Sequence, residues 1–135
     1  MATVFDKILD KEIPNYTVYE NDYALAFLDI NPSVTGHTLV IPKERVASIA
    51  DLSPEAAAGF IHAVQEVNKL LKNKLSCDGV NHLLADGVSA GQEVMHVHMH
   101  LLPRYKQDGK HFHPVGKQVS LSSQEFIDLQ EQLRS

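Results

Sequence analysis

Apolar residues along this chain change their spacing several times, and each change predicts an element. Phe5, Ile8 and Leu9 recur at helical spacing, which predicts a short amphipathic helix over Thr3 to Lys11, ended by Pro14. The runs "YTVYE" and "YALAFLD" flank Asn21-Asp22, whose turn chemistry predicts a hairpin. After the loop "NPSVTG", "HTLVIP" reads as a third strand stopped by Pro42. A long helix is expected from Ser53 as N-cap and Pro54 at the first helical position. Its stripe of Phe60, Val64, Val67, Leu71 and Leu75 would pack one face on a sheet. Asp78-Gly79 turns the chain into "VNHLLA", and the loop "DGVSAG" then leads to the run "EVMHVHMHLLPR". Beyond Arg104 loop signals prevail until Ser122, which with Glu125 three residues later forms a capping box for a last helix. This order predicts an α+β domain with a mostly antiparallel sheet of about five strands, one long helix and one or two short ones.

Length and composition narrow the class. At 135 residues, 44% of them hydrophobic, the chain is expected to form a single domain over 1–135 without staples. No apolar run reaches the roughly 18–20 residues of a membrane span, and the start lacks the basic-then-apolar order of a secretory signal, so a cytoplasmic protein is expected. The lone Cys77 has no internal disulfide partner and is assigned no role. A formal charge of −5 disfavours a protein that coats nucleic acid, while leaving a local site for a small phosphorylated ligand open.

His96, His98 and His100 occupy alternate positions, so on a strand they share one face while Val97, Met99 and Leu101 take the other. A solvated face is one account, and metal ligation is another. Residues four apart on a strand lie roughly 13 Å apart, whereas zinc holds imidazole nitrogens at about 2.0–2.1 Å. One ion is therefore not expected to take all three; two could share one, but that needs a third ligand, and the flanks offer no second cluster with ligand spacing beyond the isolated Glu93 and Asp86. A nucleophilic role for the middle imidazole fits better. His98 would attack phosphorus or a carbonyl through one nitrogen, while His96 and His100 donate to oxygens that gather charge. Gly87 and Gly91 would let loop N–H groups approach an anion.

"AGQEVMHVHMHLLPR" resembles the signature of the histidine triad (HIT) family, and "AFLDINPSVTGHTLVIPK" resembles its nucleoside-binding strand and turn. The resemblance runs from about Phe5 to Arg104, leaving 105–135 as an unmatched tail and helix. It implies a HIT-like fold and a homodimer that binds purine nucleotides. It also implies hydrolysis or transfer of nucleotidyl groups through a covalent nucleotidyl-histidine, with neither cofactor nor catalytic metal. By this resemblance His98 is the nucleophile, flanked by His96 and His100 and supported by His37. Asp29 holds the ribose, Phe5, Ile8, Phe27 and Ile30 form the base slot, and Gly91 and Gln92 belong to the phosphate side. Neither nucleic acid nor a membrane is expected as a partner.

Several positions have plainer accounts or depart from the family. The four apolar residues could simply be core, Asp29 a turn initiator, and Gln92 a loop stabiliser. His62 and His82 are assigned to packing or surface, and His111 and His113 to a solvated loop or the rim of the site. Many relatives hold a structural zinc with a Cys-x-x-Cys pair and histidines; the matching positions here are Thr3, Asp6 and Arg45. Ala85 stands where relatives place Asn or Gln to donate to phosphate. The rival functions are therefore a metal-dependent hydrolase and a nucleotide-binding module with little turnover.

Overall fold

A computed structural model describes residues 2–108 and 119–135. His111 and His113, expected at a loop or rim, lie outside the described residues. Helix α1 (Val4–Leu9) opens on Thr3, whose hydroxyl accepts the Asp6 N–H while the Asp6 carboxylate accepts the Thr3 N–H. It is shorter than the pattern predicted: Thr3 is its cap, Asp10 closes it, and Lys11 turns away at φ 62°. Strands β1 (Thr17–Glu20), β2 (Ala24–Leu28) and β3 (Thr38–Pro42) follow. The long helix α2 (Pro54–Leu75) starts on Ser53 with proline in its first turn, as the sequence predicts. Strands β4 (Gly79–Leu83) and β5 (Met99–Arg104) precede α3 (Ser123–Arg134), which opens on the Ser122–Glu125 capping box.

All neighbouring strands are antiparallel, in the order β1-β2-β3-β5-β4. β2 and β3 are buried at every residue, because both of their faces are covered. On one face Ala24, Ala26, Leu28, Val40 and Leu101 pack with Phe60, Val67 and Leu71 of α2 and with Leu129 and Leu133 of α3. On the other, Leu25, Phe27, Leu39 and Ile41 pack with Phe5 and Ile8 of α1. This second, smaller core explains why "YALAFLD" reads as a continuous apolar run instead of an alternating one. Among the described residues no helix is long and apolar enough to cross a membrane.

One expectation needs correction. The histidine run was expected to lie wholly on a strand, but β5 begins at Met99, so His96 and His98 precede it. β3 pairs Val40 with Met99 and Leu39 with His100, and continuing that register would set Pro42 opposite Val97. Proline has no N–H to give the ladder. The Val97 N–H instead bonds the Val46 carbonyl, 2.9 Å away, and the segment leaves the sheet there.

Candidate active site

The site lies on the α1 side of the sheet, where β3 and β5 meet. His100 sits on β5 opposite Leu39, and His37 immediately precedes β3. Their rings meet directly, with His37 Nε2 2.8 Å from His100 Nδ1. Asp29, just after β2, faces the pair from the other end of the 29–37 loop, its Oδ2 3.5 Å from His37 Nε2. Its Oδ1 accepts the Asn31 N–H at 2.8 Å, the Asx-type bond that the turn reading anticipates.

Fixed backbone groups determine where the ring protons sit. The Ser33 N–H donates to His37 Nδ1 at 3.1 Å, so that nitrogen carries the lone pair and Nε2 carries the hydrogen. His37 Nε2–H then donates to His100 Nδ1, which leaves His100 with its own hydrogen on Nε2. His98 is set by a different group: its Nδ1–H donates to the His96 carbonyl at 2.8 Å, so its Nε2 is the bare nitrogen. His96 donates from Nε2 to the Pro42 carbonyl at 2.8 Å. The ring centroids of His98 and His100 stand 5.1 Å apart, and the Phe5 ring lies in T-shaped contact with both His98 and His96, at centroid distances of 5.0 and 5.9 Å.

Burial dominates the electrostatics. His37 is pushed down to about 4 by desolvation alone. His100 also falls to about 4, mainly by burial, aided by His37 and His98 and opposed by Asp29. Asp29 is raised by burial, against the Asn31 N–H and the neighbouring rings. At neutral pH His37 is thus a neutral imidazole, and its contact with Asp29 is not an ion pair. Burial lowers His96 as well, opposed by the Pro42 carbonyl and by Asp6.

Asp29, His37 and His100 are the group of potential ligands that the described residues bring close enough for a metal ion, their donor atoms lying within 4.8 Å of one another. The hydrogen bonding does not suit an ion. A metal on His37 Nε2 would require the proton on Nδ1, where the Ser33 N–H already points. At the positions matched to a structural zinc, Thr3 caps α1 and Asp6 faces Arg45, with 3.7 Å between Oδ1 and Nε.

The structure brings together most, but not all, of the residues named from the sequence. His37, His96, His98 and His100 converge with Asp29, and Phe5, Ile8 and Phe27 form one buried cluster beside them. Ile30 stands apart at 67% exposed. Gly91 takes φ 98°, as the loop requires, but the Gln92 side chain is buried and fully engaged. Its Oε1 accepts the Gly87 N–H at 2.7 Å, and its Nε2 donates to the carbonyls of Ala47 and Val94 at 2.8 and 3.0 Å. Ala85 is half-buried just past β4. His62 and His82 lie on or near the surface; His82 bonds Asn68 at 2.9 Å. Ser33 and Val46 went unremarked in the sequence, and Pro42 was read only as a strand stop, because they act here through backbone groups, which residue type does not reveal.

The HIT domain family matches residues 10–107 of the chain. An uncharacterised HIT-like protein of Borreliella burgdorferi is 42% identical, covering 96% of this chain and 94% of its own. The adenosine 5′-monophosphoramidase of Saccharomyces cerevisiae is 40% identical over 76% of this chain and 63% of its own. A crystal structure of a HIT-like protein from Bartonella henselae, described as involved in cell-cycle regulation, superposes with TM-score 0.85 at 30% identity. That match covers 98% of this chain and 94% of the Bartonella chain.

Proposed function

Because this chain belongs to the HIT family, we propose that it is a nucleotidyl hydrolase or transferase that cleaves a phosphoanhydride or phosphoramidate bond of a purine nucleotide. The observation that carries this reading is the lone pair on His98 Nε2, fixed by donation of Nδ1–H to the His96 carbonyl. A nucleophile held in one tautomer and buried at 7% exposure needs little reorganisation before attack. His98 Nε2 attacks the α-phosphorus, and the bond from phosphorus to the leaving group breaks on the opposite side. The intermediate is a nucleotidyl-His98, which water or another acceptor then resolves. His100 presents Nε2–H to a phosphoryl oxygen as charge builds there, its tautomer set by the chain from Ser33 through His37.

Asp29 is the group for the ribose hydroxyls, since its Oδ2 is free of backbone bonds while Oδ1 is held. Phe5, Ile8 and Phe27 offer the apolar wall for the base, while Ile30, expected in the same slot, is exposed and outside their cluster. Gly91 contributes through the loop backbone, and Gln92 by holding that loop in shape. The phosphoramidase activity in the name of the yeast relative supports the phosphoramidate arm of the proposal. The reading includes a homodimer; β1 and β4 are the edge strands of the sheet, and light scattering of the purified protein tests the dimer.

Rapid quenching with a nucleoside phosphoramidate, followed by peptide mass spectrometry, should find the nucleotidyl group on the peptide bearing His98. The variant His98→Ala should lose both turnover and adduct while binding the nucleoside monophosphate nearly as well. Undiminished turnover in His98→Ala would refute the mechanism, and tight binding without any adduct in wild type would leave a binding module.

A further inference from the structure

The segment from Pro42 to Ile49, running from the end of β3 towards α2, bonds to the histidine run, to the glycine loop and to α1. The Pro42 carbonyl takes His96 Nε2–H and the Val46 carbonyl takes the Val97 N–H, at 2.8 and 2.9 Å. The Ala47 carbonyl holds Gln92, and Ser48 and Ile49 both donate to the carboxylate of Asp86, so the glycine loop is tied to the same strap. The remaining piece is α1, and it is joined by Arg45. The guanidinium spans both Asp10 oxygens at 3.1 and 2.6 Å and places Nε 3.7 Å from Asp6 Oδ1. Asp6 and Asp10 are one helical turn apart, so a single side chain grips one side of α1 at two points.

The grip on Asp6 reaches toward the nucleophile. Asp6 Oδ2 is used by the capping bond from the Thr3 N–H, yet Oδ1 is also buried and has no hydrogen-bond partner. A buried carboxylate oxygen without a partner is uncommon and calls for a reason. This one lies between Arg45 Nε and His96 Nδ1, 3.9 Å from the latter. The residue before it, Phe5, makes T-shaped ring contacts with both His98 and His96. Two of the groups set against His98 are therefore tied to the strap, the His96 carbonyl through Pro42 and Val46 and the Phe5 ring through Arg45.

We propose that Arg45 is a positioning residue for the His98 nucleophile, acting through Asp6 and Asp10 to hold α1, and with it Phe5, against the imidazole. This rests on His98 being the nucleophile, as argued under Proposed function. Arg45 is itself 45% exposed, and exposed ion pairs add little to global stability, so its loss should affect the site more than the fold. A shift of about 1 Å in a reacting group costs on the order of a hundredfold in rate, and a loosened wall should cost part of that.

The test compares wild type, Arg45→Met, Arg45→Lys and the double variant Arg45→Met with Asp10→Asn. Each is assayed for kcat on a nucleoside phosphoramidate, for melting temperature, and by NMR for the Phe5–His98 ring contact. Arg45→Met should lose roughly tenfold or more in kcat, with a melting temperature within a few degrees of wild type and a weakened Phe5–His98 contact. Arg45→Lys should recover part of both, and adding Asp10→Asn to Arg45→Met should change little, because the link is already cut. Wild-type kcat and an intact ring contact in Arg45→Met would overturn the proposal. So would a rate loss that only follows a large fall in melting temperature and is equal in the lysine variant. The NMR contact needs no turnover, so an inactive wild type would defeat the proposed function while this link is judged by the ring contact.

Discussion

Acidification should destabilise this protein through the buried His37–His100 pair. Both rings are held at about 4 against an ordinary value of 6.5, chiefly by burial. Between those values the unfolded chain binds protons that the fold refuses. Stability therefore rises with pH across that window and is lost as pH falls from about 6.5 towards 4. For His37 the full displacement corresponds to about 3 kcal/mol, of which about 2 kcal/mol is already lost at pH 5. That is on the order of 5–10 °C in melting temperature for a domain of this size. His96, lowered by burial, adds in the same direction. Asp29 is raised by burial, so its contribution has the opposite sign and offsets part of the loss at the acid end. The assay is thermal unfolding by circular dichroism from pH 8 to 4.5 on wild type and His37→Gln. Glutamine does not titrate, so its curve should be flatter, and the gap between the two should close as pH falls. Parallel curves, or a wild-type melting temperature unchanged between pH 8 and 5, would refute the reasoning.

Three further outcomes are expected. Ala85→Asn should raise kcat/KM by on the order of tenfold if an amide there reaches a phosphoryl oxygen; a slower and less stable variant would show that Ala85 is packing. Chelator-treated protein should keep its turnover and melting temperature, because the hydrogen on His37 Nε2 occupies the one cluster of donors among the described residues; loss of both on chelation would favour a metal-dependent hydrolase. Gln92→Ala should cost roughly 2–4 kcal/mol in chemical denaturation, since it strips partners from Gly87, Ala47 and Val94 at once; a cost below about 1 kcal/mol would mean that the loop does not depend on this amide.

Much of the fold was legible because local signals agree with the tertiary result. Ser53-Pro54 starts α2 and the Ser122–Glu125 box starts α3, since caps are set by a few adjacent residues. The alternation that marked His96, His98 and His100 pointed to the candidate site but misjudged its backbone: only His100 lies on β5. The sequence supplied the imidazoles, whereas their tautomers depend on partners that only the folded chain reveals, such as the carbonyl of Pro42 for His96, the N–H of Ser33 for His37 and the His37 ring for His100. Arg45 and Asp6 were noted only as residues at other proteins' ligand positions, because a link between α1 and the strap appears only once the chain has folded.

The strand order β3-β5-β4 also constrains how the molecule comes to exist. Among the described residues β5 is the last strand in sequence, yet it enters between two strands made before it. Until residues 99–104 are available, β3 and β4 each present an unpaired edge, and no hairpin can close the sheet. Insertion of β5 then satisfies both edges and carries His100 to His37 in the same event. Such long-range closure is slow relative to hairpin formation. A nascent or partly unfolded chain would thus lack the paired histidines for as long as it lacks a closed sheet; under the proposed function activity would then report completed folding, and partly folded chains would be prone to pair through their open edges.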